Sequence, residues 1–126
     1  MQSTREVLTK ITFKDDHIKA EISDRQTALE TRQFLQAVAA AAEAHKCARV
    51  LISVKDSNPL FKVEAYGISD YFKLLARNRA SRVALLSDSE EIRASHEYIV
   101  LLASQHGAQV ESFRSEPEAV KWLTRE

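Results

Sequence analysis

The chain has 126 residues, which suits one domain of the usual ~100–150 residues. Its 18 Lys+Arg are balanced by 18 Asp+Glu, so it lacks the basic excess that nucleic acid or an anionic membrane surface attracts. Two glycines, two prolines and one cysteine rule out a Gly-rich phosphate loop, a linker-rich chain, an internal disulfide framework and a multi-cysteine metal site.

Hydrophobic residues make up 44% and charged residues 29%, a mixture that folds rather than staying disordered. Residues 1–16 carry Arg5, Lys10, Lys14, Asp15 and Asp16 and have no apolar stretch of signal-peptide length. The longest low-charge run, Gln33 to Ala42, is about half the ~20 apolar residues of a transmembrane helix. A cytoplasmic chain with reduced Cys47 and no transmembrane segment is expected.

Val7, Thr9, Ile11 and Phe13 alternate with polar residues, as do Ile18, Ala20 and Ile22 after Lys14-Asp15-Asp16-His17, so residues about 5–23 predict a β-hairpin. A helix follows, capped by Ser23 or Asp24 or by a Thr27–Glu30 capping box. Its apolar stripe is Leu29, Phe34, Leu35, Val38, Ala39 and Ala42, and it ends near His45-Lys46. Val50 to Val54 is a continuous apolar run, the mark of a strand covered on both faces, and Asp56-Ser57-Asn58-Pro59 breaks it into a loop. Lys62 to Arg77 predicts a second helix, with Gly67 as the position of a bend or break.

Arg82 to Leu86 repeats the buried-strand signature. Ser87 to Glu91 is a capping sequence for a third helix that carries Ile92, His96, Ile99, Leu102 and Ala103 and closes at Gly107 in a left-handed conformation. Gln109 to Phe113 predicts a last strand. Ser115 with Glu118 caps a last helix packed through Ala119, Val120, Trp122 and Leu123, with Pro117 in its first turn. The order β-β-α-β-α-β-α-β-α implies an α/β domain spanning 1–126: a mixed, mainly parallel sheet of about five strands with an N-terminal hairpin, flanked by four helices.

This order, the segment Arg82-Val83-Ala84-Leu85-Leu86-Ser87-Asp88, and the ending Val110-Glu111-Ser112-Phe113 with Glu118-Ala119-Val120-Lys121-Trp122-Leu123 resemble the SpoIIAA-like (STAS-type) proteins over about residues 5–123. The resemblance implies a small mixed sheet with four helices. It places the chain near the STAS fold (sulfate transporter and anti-sigma-factor antagonist) and the Sec14-like lipid-binding grouping. Anti-sigma-factor antagonists carry an Asp-Ser pair and a small residue at the start of the second helix, where phosphorylation of the serine ejects the partner kinase. Here Asp56-Ser57 is followed by Asn58-Pro59-Leu60-Phe61 and lies several residues before a helix start near Lys62-Val63 that has no hydroxyl. The phosphoswitch therefore does not carry over onto Ser57 by position.

Four histidines are the natural candidates for metal or acid/base work. His96 and His106 are ten residues apart on one helix, about 15 Å at 1.5 Å per residue, so they cannot chelate one ion. With no His-x-x-x-His spacing, His17, His45, His96 and His106 are expected as surface or cap residues, with no metal and no cofactor. Cys47 follows His45-Lys46 and is expected as a partly buried filler rather than a nucleophile.

Asp56, Ser57, Asp88 and Ser89 follow the carboxyl ends of two parallel strands and form a candidate polar loop site, although plain turn and capping chemistry also accounts for them. Phe61, Tyr66, Tyr71 and Phe72 gather around the second helix and do not all fit one core stripe, so part of that surface is a candidate interaction or ligand surface. Lys73, Arg77, Arg79 and Arg82 follow it, but zero net charge argues against nucleic acid. The expected function is a non-enzymatic STAS-like regulatory or protein-interaction module, binding a protein partner or its own copy. The alternative is a small-molecule or lipid carrier with an apolar site near the second helix.

Overall fold

The computed structural model describes residues 8–25, 27–57 and 68–125. The opening alternation becomes β1 (Leu8–Phe13) and β2 (Ile18–Ser23), paired antiparallel. Then come α1 (Ala28–Ala44), β3 (Arg49–Lys55), α2 (Ile68–Ala76), β4 (Arg82–Ser87), α3 (Glu90–Gln105), β5 (Gln109–Phe113) and α4 (Glu116–Thr124). The sheet order is β1-β2-β3-β4-β5, with every pair from β2 onward parallel. Five strands in a mixed sheet with four helices form the expected α/β architecture.

Local signals set most element ends. Thr27, not Ser23 or Asp24, caps α1: its hydroxyl accepts from Glu30 N at 3.2 Å, and the Glu30 carboxylate accepts from Thr27 N at 3.1 Å. At the other end, Lys46 takes a φ of 50°, and Cys47 N–H donates back to Ala42 O at 2.9 Å. Gly107, at φ 79°, closes α3 while Ala108 N–H donates to Ala103 O at 3.0 Å. Gly67 and the first part of the expected second helix lie outside the described residues.

Topology dictates where the core sits. Each parallel crossover steps one strand further in the same direction, and right-handed crossovers taken that way all pass over one face of the sheet. The main core fits this. Phe34 and Val38 of α1, Ile68, Tyr71 and Phe72 of α2, and Ile92, Ile99 and Ala103 of α3 all pack against a single sheet face. That face is built in rows set by the strand register, such as Ile18–Val50–Val83–Val110 and Ala20–Ile52–Leu85. The alternate residues Leu51 and Ala84 point to the other face, where Ala119 and Leu123 of α4 cover them. This double coverage is why β3 and β4 read as continuous apolar runs.

Arg82 holds α4 in place. Its guanidinium donates to Trp122 O at 2.9 Å and Arg125 O at 2.6 Å, satisfying carbonyls at the helix end, and lies 5.8 Å from the Trp122 ring centroid. Lys19 of β2 reaches Glu116 at the other end of α4, at 2.9 Å. Arg82→Met should lower stability by about 1–2 kcal/mol and loosen α4 first. Trp122, the sole tryptophan, reports this directly by its fluorescence in urea. An unchanged urea midpoint together with unchanged α4 hydrogen exchange would refute the anchoring role.

Candidate functional site

The two loops at the carboxyl ends of β3 and β4 are brought together, and their polar groups are bonded to the chain itself. Asp56 takes a φ of 48°, and its N–H donates to Asp88 Oδ2 at 3.1 Å. Ser57 Oγ donates to Lys55 O at 2.8 Å and accepts from Arg25 N at 3.0 Å, tying this loop to the segment between β2 and α1. Ser89 is the α3 cap, its hydroxyl accepting from Ile92 N at 3.2 Å. The strand order never reverses along the sheet, so β3 and β4 do not flank a topological switch point, the usual origin of a crevice at strand ends. Among the described residues, no group of three or more His, Cys, Asp or Glu side chains is placed to hold a metal ion.

Two of the four aromatic candidates, Tyr71 and Phe72, are buried rather than exposed. Tyr71 and Phe72 are 8% and 2% exposed and belong to the main core. The reason is the position of α2, which packs against both α1 and α3 as well as the core, so neighbouring faces of this short helix are covered together. Phe61 and Tyr66 lie outside the described residues. Burial also pushes the Tyr71 phenol above its ordinary range, so it stays protonated at neutral pH.

Beneath Tyr71 and Phe72 lies a cavity of about 50 Å³. Ile52, Val54, Val83, Leu85 and Val110 form its floor on the sheet, and Phe34, Leu35, Ile68 and Ile99 contribute helix walls. Arg25, Thr31 and His96 also line it. A shallower groove of about 240 Å³ runs outside, between α1 and α2, lined by Arg32, Gln36, Ala39, Asp70 and Leu74. Leu35 and Tyr71 line both spaces and so form the partition between them.

Two further residues belong to this cavity: His96, which sequence reasoning weighed and expected at the surface or at a cap, and Arg25, which it passed over. Both are buried, at 2% and 5% exposure. His96 is therefore a core residue and not the expected surface or cap histidine. His17 is buried too, its Nδ1 donating to Asp16 Oδ1 at 2.7 Å. His45 stacks on Phe13 at 4.4 Å, and His106 ends α3. The signal for His96 was its spacing, four residues after Ile92 and three before Ile99, on the apolar stripe of α3. Its Nδ1 is buried without a hydrogen-bond partner. Burial, and secondarily the positive charge of Arg25, push its pKa down to about 4 from 6.5, so it is neutral at physiological pH.

No family model matches the chain, and no curated protein matches it. Among solved structures it is similar to an uncharacterised protein of the DUF3478 family with a SpoIIAA-like fold, from Shewanella loihica PV-4. The match covers 98% of each chain with a TM-score of 0.58 and 15% sequence identity. The chain has a SpoIIAA-like fold, in agreement with the sequence resemblance. At this identity the likeness carries the fold and not the roles of residues.

Two outcomes follow from the bonding described above. Asp88→Ala should cost up to about 1 kcal/mol and speed hydrogen exchange at the Asp56 amide; an unaltered Asp56 exchange rate would show that the carboxylate does not hold the loop. For His96 the folded pKa lies below the unfolded one, so the unfolded state binds more protons as pH falls. Its stabilising contribution is present above pH 6.5 and is lost progressively towards pH 4, by roughly 3 kcal/mol in all. Urea midpoints measured across this window should fall with pH, and His96→Gln should flatten the slope. Equal slopes in both proteins would contradict the assignment.

Proposed function

We propose that the chain acts as one non-enzymatic STAS-type domain that binds a small, mainly apolar molecule in the cavity beneath α2. The observation that carries this reading is the cavity itself, in which core side chains of α1, α2, α3 and three strands leave an unfilled space. A cavity of this size holds a few water-sized groups, since one water needs about 10–15 Å³. It takes a small molecule or one end of a longer one. The partition formed by Leu35 and Tyr71 makes the groove between α1 and α2 the route of entry. A regulatory role follows if occupancy shifts α2 and so changes the surface offered to a partner.

Support for the non-enzymatic part comes from the loop residues. The Ser57 and Ser89 hydroxyls and the Asp88 carboxylate are each engaged in bonds that shape the loops or cap α3. None of the described helices is long and apolar enough to cross a membrane, and the reading assigns the chain to the cytoplasm. Xenon and 1-propanol, added to isotope-labelled protein, should shift the signals of Leu85, Ile99 and Tyr71 to saturation, and Val83→Phe should abolish the response. Shifts scattered over the surface, or none, would sink the reading.

One observation favours a protein-interaction role alongside it. Leu74 is 47% exposed on the outer groove, and a second copy of this chain would meet no net repulsion, because the charges balance. Self-association through this groove predicts a dimer by light scattering that Leu74→Asp converts to monomer. A wild-type monomer at high concentration removes self-association through the groove.

A further inference from the structure

The cavity beneath α2 is apolar along the sheet and polar where Arg25, Thr31 and His96 enter its wall. We infer that this polar end selects a carboxylate, so that the ligand class of the site is a short-chain carboxylic acid bound as its anion, with the alkyl part against Val83, Leu85 and Ile99. This rests on the reading of the cavity as a ligand site and adds the charge of what it takes.

Two independent features carry the inference. The first is Arg25, a cationic residue only 5% exposed, among the residues that line a mainly apolar space. Arg25 has partners within the protein, and a buried cation favours further groups that accept hydrogen bonds or carry negative charge. A guanidinium offers five N–H donors in a planar fork, so it can serve bonds within the protein and a ligand carboxylate together. The second is His96 Nδ1, buried without a hydrogen-bond partner on a residue that lines the same space. Native structures rarely leave such an atom unsatisfied, and with the proton on Nδ1 the ring donates to a ligand oxygen.

Charge and shape point the same way. A free cation ligand would face Arg25, whose field already disfavours a positive charge on His96. A wholly apolar ligand would leave the imidazole nitrogen unsatisfied and gain nothing from the guanidinium. An anion meets both groups, and by opposing the Arg25 field it makes protonation of His96 easier. The space of about 50 Å³ admits a carboxyl group and two or three carbons, so propionate is the fitting probe.

The test compares propionate, its neutral isostere propionamide, and 1-propanol by NMR titration of the full chain at neutral pH. Propionate should bind about tenfold or more tightly than propionamide, with the shifts centred on His96, Arg25 and Ile99. The His96 ring should titrate at a higher pH with propionate present than without it. Arg25→Met should reduce the propionate-to-propionamide ratio to about one, and His96→Gln should lower it severalfold while keeping a hydrogen-bonding side chain. The comparison of the three probes on the wild-type chain decides the matter even if a variant fails to fold. Propionamide or 1-propanol binding as tightly as propionate would overturn the carboxylate inference and leave the cavity as a site for neutral apolar molecules. Failure of all three probes, and of xenon, would remove the ligand site itself and the inference with it.

Discussion

The constraint on which the rest of the structure depends is the unbroken order of the sheet. Because each strand after β2 is added to the same growing edge, right-handed crossovers have no choice but to place α1, α2 and α3 on one face. Among the described helices only α4, which follows the last strand without a further crossover, covers the other face. The result is a lopsided molecule: a thick three-helix layer over the rows led by Ile18 and Ala20, and a thin layer over Leu51 and Ala84. An order without reversal provides no topological switch point at the strand ends, and the cavity of about 50 Å³ lies inside the thick layer instead.

Inside that layer α2 packs between α1 and α3. It is nine residues long, lies between two longer helices, and must fill the space over the centre of the sheet. Tyr71 and Phe72 do so incompletely, and the cavity is what remains. The polar residues around it come from the surrounding elements, Arg25 and Thr31 from the start of the α1 region and His96 from α3. Three polar residues, Arg25, Thr31 and His96, thus line a mainly apolar cavity, a combination typical of ligand sites.

The candidate residues show how far local reasoning reaches. Asp56, Ser57, Asp88 and Ser89 were legible as turn and capping residues, and that is how their atoms are used; that Asp56 and Asp88 meet across 32 positions of sequence was not legible, because the register of β3 against β4 brings them together. His96 occupied a core position by spacing, yet its residue type spoke for the surface, since imidazole is usually solvated. Position prevailed because the α3 stripe is pressed against the sheet regardless of which side chain occupies it. Arg25 gave no periodic signal at all, being between elements.

Element order, strand pairing of the hairpin, the capping of α4 and the apolar runs of β3 and β4 were determined by local sequence, whereas the choice of Thr27 over Ser23 or Asp24 as the α1 cap was made in the folded chain. Helix and strand periods, caps and turn residues act within a few positions of the chain, where sequence distance and spatial distance coincide. The covering of Tyr71 and Phe72, the burial of His96 beside Arg25, and the cavity they share were decided only when α2 was laid between α1 and α3. Such features depend on which faces are covered by chain remote in sequence, and no local pattern encodes how completely those faces fill the space between them.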